Sequence, residues 1–232
     1  MNVSVLGDSI STFEGYNPPA NAVYYYTTRL KANHLDTVHD TWWGQVIDHV
    51  GGELLVNESF SGSLVAGRGF PAGCCPERSQ GLDAHGVCPD AVLVYFGIND
   101  YFNCVPLSQG ASAHVPDTTC FDGAYAAMVD NVLAAYPDTQ MYCATLMRGH
   151  IPDSPTWMFP GWRFPTKNAS GVALAEYNDV IRQVAHARPD SVHLIDLAAS
   201  HLTYETIDGL HPTSAGHATM ARLWVDRMEN QA

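Results

Sequence analysis

Ser9 stands in GDSIST (Gly7–Thr12), directly after the apolar run Asn2–Leu6, and His211 stands near the far end of the chain in DGLHP, with Asp208 on the same turn. A serine hydroxyl is a weak nucleophile until a base takes its proton. An imidazole titrates near neutral pH and can act as that base. A carboxylate close by in sequence can hold the other ring nitrogen, fix the tautomer and stabilise the imidazolium formed during attack. The tetrahedral intermediate then needs donors for its oxyanion. The backbone N–H groups of Ser9 and Gly62 and the side-chain amide of Asn99, in GIND, can supply them, Gly62 because a backbone without Cβ can approach closely. Each residue alone has a plainer reading: Ser9 as a helix cap, Asn99 as an Asx-turn, Asp208 as the residue before a helix that Pro212 opens. Their joint presence favours chemistry. Asp100 reads as a structural carboxylate bonding nearby backbone, and His217, inside a helical pattern, as a packing or surface histidine.

The elements that must position these groups are legible as alternating patterns. Short β-rich runs occupy Asn2–Leu6, Glu53–Asn57, Ala91–Phe96, Gln140–Leu146 and Val192–Leu197, with helical spacing over Thr41–Val50, Phe121–Tyr136, Ser170–Ala187 and Thr213–Met228. Near-continuous apolar strands separated by helices imply a parallel sheet covered on both faces. The expectation is an α/β fold, a three-layer α/β/α sandwich with a central, mostly parallel sheet of about five strands, in one domain spanning 1–232. In such a sheet the loops after the strands share one edge, which is where ligands bind. Ser9, Gly62 and Asn99 follow the first, second and third strands, and Asp208 and His211 follow the fifth.

Composition narrows the partners. The 11 Lys plus Arg against 24 Asp plus Glu give a net charge of -13, which disfavours nucleic acid and anionic membrane surfaces. The sequence starts without a basic and apolar leader and holds no membrane-spanning run, so a cytoplasmic location is expected. The six cysteines show no C-x-x-C pairing and read as reduced thiols. His34, His39 and Asp40 have a faintly metal-like spacing without further ligands, so neither a metal nor another cofactor is expected.

Gly7-Asp8-Ser9, Gly62, Gly97-Ile98-Asn99-Asp100 and Asp208-Gly209-Leu210-His211 together resemble the successive signature blocks of the SGNH (GDSL-type) hydrolases, in order, from residue 7 to about residue 217. Isoleucine at position 10 is the departure from the GDSL spelling. The resemblance implies a flavodoxin-like sheet and metal-free ester hydrolysis. It also implies a Ser9-His211-Asp208 triad with an oxyanion hole from Ser9, Gly62 and Asn99. The family includes lipases, thioesterases and esterases that remove acetyl groups from carbohydrates. The expected activity is hydrolysis of a small acyl ester, acetyl first, on a substrate such as a sugar. A thioester or lipid ester on the same triad is the nearer alternative, and a non-catalytic binding module the further one.

Long aromatic-bearing connections should be ordered covers rather than disordered segments. Of Tyr24, Tyr25 and Tyr26, one should pack in the core and one face the site; Tyr25 is assigned to substrate. Trp157 and Trp162, in TWMFPGWRF with Phe159 and Phe164, offer a stacking surface for substrate or, equally, a homo-oligomer interface. Arg78, one of the few cations, reads by default as neutralising an acidic surface.

Overall fold

The five apolar runs form one parallel sheet. A computed structural model describes residues 1–108, 117–152 and 162–230. Its strands are β1 (Asn2–Gly7), β2 (Glu53–Asn57), β3 (Ala91–Tyr95), β4 (Gln140–Ala144), a short β5 (Arg148–His150), β6 (Val192–Ile195) and β7 (Thr203–Glu205). The main sheet has the order β2-β1-β3-β4-β6, and each of its pairings is parallel. Strand order reverses between β1 and β3, and the crevice outside the carboxyl ends of such neighbours is where open α/β sheets bind ligands. Ser9 follows β1 and Asn99 follows β3.

Among the described residues the α-helices around the sheet are α1 (Thr27–Ala32), α2 (Trp42–His49), α3 (Pro76–Ser79), α4 (Ile98–Phe102), α5 (Phe121–Ala135), α6 (Leu174–His186) and α7 (Ser214–Glu229). Helix α2 packs on α7, and α5 packs on α6 and α3, giving the two outer layers. Trp42 of α2 stacks on Trp224 of α7 with ring centroids 4.8 Å apart, and both indoles are fully buried. All five residues of β3 are buried, as a strand covered on both faces requires. Helix α2 begins where Thr41 Oγ1 accepts the Gly44 N–H.

Helix α6 starts at Leu174 rather than Ser170. The Asn168 side chain accepts the N–H groups of Ser170 and Val172, which turns the chain, and Glu176 then caps the helix by accepting the Ala173 N–H. The connection Ser11–Asp40 carries α1, and Ser63–Pro89 carries α3, so neither is structureless. Strands β5 and β7 pair in parallel as a separate two-stranded sheet that the periodicity does not announce. All six cysteines are free thiols. Among the described residues no helix is long and apolar enough to cross a membrane.

Candidate active site

Strand β1 ends at Gly7, where a Cβ would meet Ser11 Oγ at 2.7 Å and the Tyr95 carbonyl oxygen at 2.9 Å. The chain then turns sharply into a short 3-10 helix, Ser9–Ser11, capped by Asp8, whose carboxylate accepts the Ile10 N–H at 3.1 Å. Ser9 therefore sits on a helix start at the sheet edge, with Thr12 Oγ1 donating to its carbonyl at 2.8 Å. Asp8 rather than Ser9 is the cap of this turn, and Ser9 is buried at the sheet edge.

Ser9 Oγ lies 2.9 Å from His211 Nε2, and His211 Nδ1 lies 2.8 Å from Asp208 Oδ2. A carboxylate this placed can only accept, so Nδ1 carries the proton and Nε2 faces the hydroxyl as an acceptor. Asp208 Oδ1 accepts the N–H groups of Leu210 and His211 at 3.0 and 2.8 Å. Burial raises the Asp208 carboxyl, but the His211 side chain and these two N–H groups outweigh it and hold it well below the usual carboxylate range. The loop itself is shaped by close approach. Gly209 adopts φ +89°, and its N–H donates to Thr206 Oγ1 at 2.8 Å, while a Cβ on Gly149 of β5 would meet the Gly209 carbonyl oxygen at 2.5 Å. The small β5–β7 sheet is thus what fixes the loop bearing Asp208 and His211.

The Phe60 N–H donates to the Gly7 carbonyl at 3.1 Å and ties the Gly62 loop to the turn that carries Ser9. Asn99 Nδ2 donates to the Ser63 carbonyl at 2.9 Å, which ties α4 to the same loop and leaves its second amide hydrogen for another acceptor. Among the described residues the N–H groups of Ser9 and Gly62 meet no acceptor. Glycine at 62 also has a backbone reason: φ is left-handed, +80°, which L side chains rarely adopt, and a Cβ there would have no protein atom within 4 Å.

A family model described as GDSL-like lipase/acylhydrolase matches residues 1–154. The chain belongs to that family. It is a carboxylic ester hydrolase. The matched span holds Ser9, Gly62 and Asn99, while Asp208 and His211 lie beyond it and join the site through the fold. No curated protein matches the chain. Among solved structures, a Bacteroides ovatus protein described as a GDSL-like lipase aligns at TM-score 0.71 and 23% identity, covering 100% of this chain and 98% of that one. A family 3 carbohydrate esterase from Clostridium thermocellum aligns at 0.59 and 14%, covering 100% and 96%. A family two carbohydrate esterase from the same organism, solved in complex with cellohexaose, aligns at 0.56 and 17%, covering 99% of this chain and 64% of that one. At these identities the likeness is one of fold.

Around this acylhydrolase centre several residues take places the sequence does not reveal. Tyr25, assigned to substrate, is fully buried and donates its hydroxyl to the Pro212 carbonyl at 2.7 Å, so it supports the His211 loop from below and cannot touch a ligand. The neighbouring Tyr24 is the one against His211 and Asp208. Trp162 packs its indole over Gly209, where a Cβ would come within 2.5 Å of the ring, and with Phe164, Gly149, His150 and Pro152 it borders a cavity of about 420 Å³. Trp157 lies outside the described residues. Arg78 is not a surface cation at all. Fully buried, it donates to the carbonyls of Gly7, Glu58 and Pro71 at 2.9, 2.9 and 2.6 Å, with Glu58 Oε1 3.6 Å away, and burial pushes it down to about 10.

The remaining polar groups are structural. Asp100 accepts the N–H groups of Val65 and Ala66 at 2.8 and 3.0 Å, as expected of it, and burial pushes it up to about 7. Burial also pushes Asp8 up to about 7, the Ile10 N–H opposing this and the Asp100 charge adding to it. His217 is buried, its Nδ1 accepting the Trp42 N–H at 3.1 Å, and desolvation pushes it down to about 3. His39 pairs with Asp48 at 2.8 Å, and Asp40 accepts the N–H groups of Asp36 and Thr37. Among the described residues no three His, Cys, Asp or Glu side chains gather as a metal site.

Proposed function

We propose that this chain is a serine esterase that hydrolyses small acyl esters, acetyl first, on carbohydrate substrates, through Ser9, His211 and Asp208. The observation that carries the chemistry is the single line of contacts from Ser9 Oγ to His211 Nε2 and from His211 Nδ1 to Asp208 Oδ2. Ser9 Oγ attacks the ester carbonyl carbon as its proton passes to His211 Nε2. Asp208 holds Nδ1–H and stabilises the imidazolium. The oxyanion accepts from the N–H groups of Ser9 and Gly62 and from Asn99 Nδ2. His211 returns the proton to the leaving alkoxide, releasing the alcohol and leaving an acyl-Ser9. Water then gives its proton to His211 and attacks the acyl carbon, and Ser9 leaves reprotonated with the acid released.

Two features support the substrate class. The indole of Trp162 lies on the loop between Asp208 and His211, where an aromatic face suits a sugar ring. The Clostridium thermocellum carbohydrate esterases share the fold. A -13 charge also works against a lipid-surface enzyme. A series of p-nitrophenyl esters from acetyl to dodecanoyl, run beside acetylated xylose and cellobiose, tests this. The proposal expects kcat/KM to fall steadily beyond butyryl and acetate to be released from the sugars. A kcat/KM that climbs with chain length, with the sugars inert, would replace it with the lipid-ester reading.

A further inference from the structure

Tyr24 touches two members of the proposed triad, His211 and Asp208, and reaches the third, Ser9, through Thr12. Its ring stacks flat on the His211 imidazole, with centroids 3.3 Å apart and planes 9° from parallel. Its hydroxyl donates to Asp208 Oδ2 at 2.8 Å, the same oxygen that takes His211 Nδ1. Its backbone N–H donates to Thr12 Oγ1 at 3.0 Å, and that hydroxyl in turn donates to the Ser9 carbonyl. Arg29, on α1, lies over the Tyr24 ring at 5.1 Å from its centre, with Nη1 3.4 Å from the phenol oxygen. Tyr25 meets Tyr24 edge to face at 4.9 Å and closes the far side.

Resting on the triad reading above, we infer that Tyr24 is a positioning residue for catalysis, which sets the orientation of His211 and divides the Asp208 charge between a phenol and the imidazole. The stack permits the imidazole only its in-plane freedom, and the shared oxygen Oδ2 fixes that freedom as well. The electron-rich ring face favours the imidazolium when it forms. The phenol hydrogen bond acts the other way: it draws charge from Oδ2 and weakens that oxygen's hold on Nδ1–H. Burial, the Asp208 charge and the bond to it hold the Tyr24 phenol well above its ordinary value, so it stays a donor throughout the working range.

The charged and titratable groups that bear on His211 are few. Asp208 is on its own loop; Tyr24 and Tyr25 precede α1; Arg29 is on α1; His217 is on α7; and Asp8 lies beneath Ser9. Among them, Tyr24→Phe keeps the stack and removes one hydrogen bond to a charged oxygen. With Oδ2 freed to serve the imidazolium alone, the acid limb of kcat/KM moves to higher pH, by about half a unit or more. The looser carboxylate lowers kcat about tenfold, while KM stays within about twofold. Tyr24→Leu removes the stack too and lowers kcat further.

The experiment is the pH profile of kcat and kcat/KM for p-nitrophenyl acetate with wild type, Tyr24→Phe and Ser9→Ala, each with its thermal unfolding curve. An upward-shifted acid limb and a reduced kcat in Tyr24→Phe, at a melting temperature near wild type, is the expected result. An unmoved limb and unchanged kcat per folded molecule, with Ser9→Ala inactive, would overturn the Tyr24 role and leave the triad standing. A fully active Ser9→Ala would bring down the triad reading and this inference together.

Discussion

The guanidinium of Arg78 donates to the carbonyl oxygen of Gly7 at 2.9 Å, one residue before the turn that carries Ser9. The same group holds Glu58 and Pro71, at the two ends of the segment that bears Gly62, so one buried cation ties the turn that carries Ser9 to the Gly62 loop. Removing it takes a charged donor from three carbonyls in a dry interior, of which Gly7 keeps the Phe60 N–H, and leaves the Glu58 carboxylate with the Asn21 amide. Arg78→Met should cost about 3–5 kcal/mol, read by urea unfolding. Arg78→Lys should recover little, because an ammonium cannot reproduce the planar fork. A variant within about 1 kcal/mol of wild type would show that water or backbone relaxation replaces these bonds.

Asn99→Ala separates chemistry from architecture. If the second Nδ2 hydrogen meets the oxyanion, its loss lowers kcat by about 10²–10³ with KM little changed. The Ser63 bond is lost as well, so some stability goes with it. Steady-state kinetics corrected for the folded fraction decide the matter: a destabilised but fully active variant would make Asn99 a structural clamp only.

Gly62 tests backbone conformation in place of space. Gly62→Ala should cost about 1–2 kcal/mol from its left-handed φ, although its methyl group meets open space. Gly62→Asn, better tolerated in that region, should cost less than Gly62→Ala in the same thermal unfolding assay. Equal losses in both would point to crowding that the glycine relieves.

His217 is held neutral by burial, its value falling from 6.5 in the unfolded chain to about 3. The unfolded state therefore binds more protons than the folded one between those values, and stability declines as pH falls below 6.5. The slope approaches about 1.4 kcal/mol per pH unit. Asp8 and Asp100, raised to about 7, act in the opposite sense across much of the same range. His217→Asn, whose Oδ1 stands where Nδ1 does and can still accept the Trp42 N–H, isolates the contribution. The difference in unfolding free energy between wild type and variant should shift in the variant's favour as pH drops from 7 to 4; a constant difference would contradict it.

The sheet was open to reading because its strands are short apolar runs, β3 buried throughout, and because α5, α6 and α7 are long periodic helices. Ser9 and Asn99 were readable because each directly follows a strand whose end can be located, whereas Asp208 and His211 stand well after the fifth run and were readable from the DGLHP segment itself. What stayed hidden depends on contacts that no local pattern encodes. The run Tyr24–Tyr26 contains three identical side chains, and only the packing of Pro212 and His211 decides that Tyr25 is buried and Tyr24 lies on the imidazole. Arg78 resembles any solvated cation until three distant carbonyls converge on it. Strands β5 and β7 are three residues each, too short for a periodicity, yet they set the Gly149–Gly209 approach behind His211.

The central claim is that Ser9 is the nucleophile, activated across 2.9 Å by His211. Treating the active enzyme with a fluorophosphonate and mapping the adduct by peptide mass spectrometry tests it most directly. One phosphonyl group per chain, on Ser9, is expected, formed in step with loss of esterase activity, with a labelling rate strongly reduced in His211→Gln. An adduct on Ser63 or another serine, or complete inactivation with Ser9 unmodified, would contradict it.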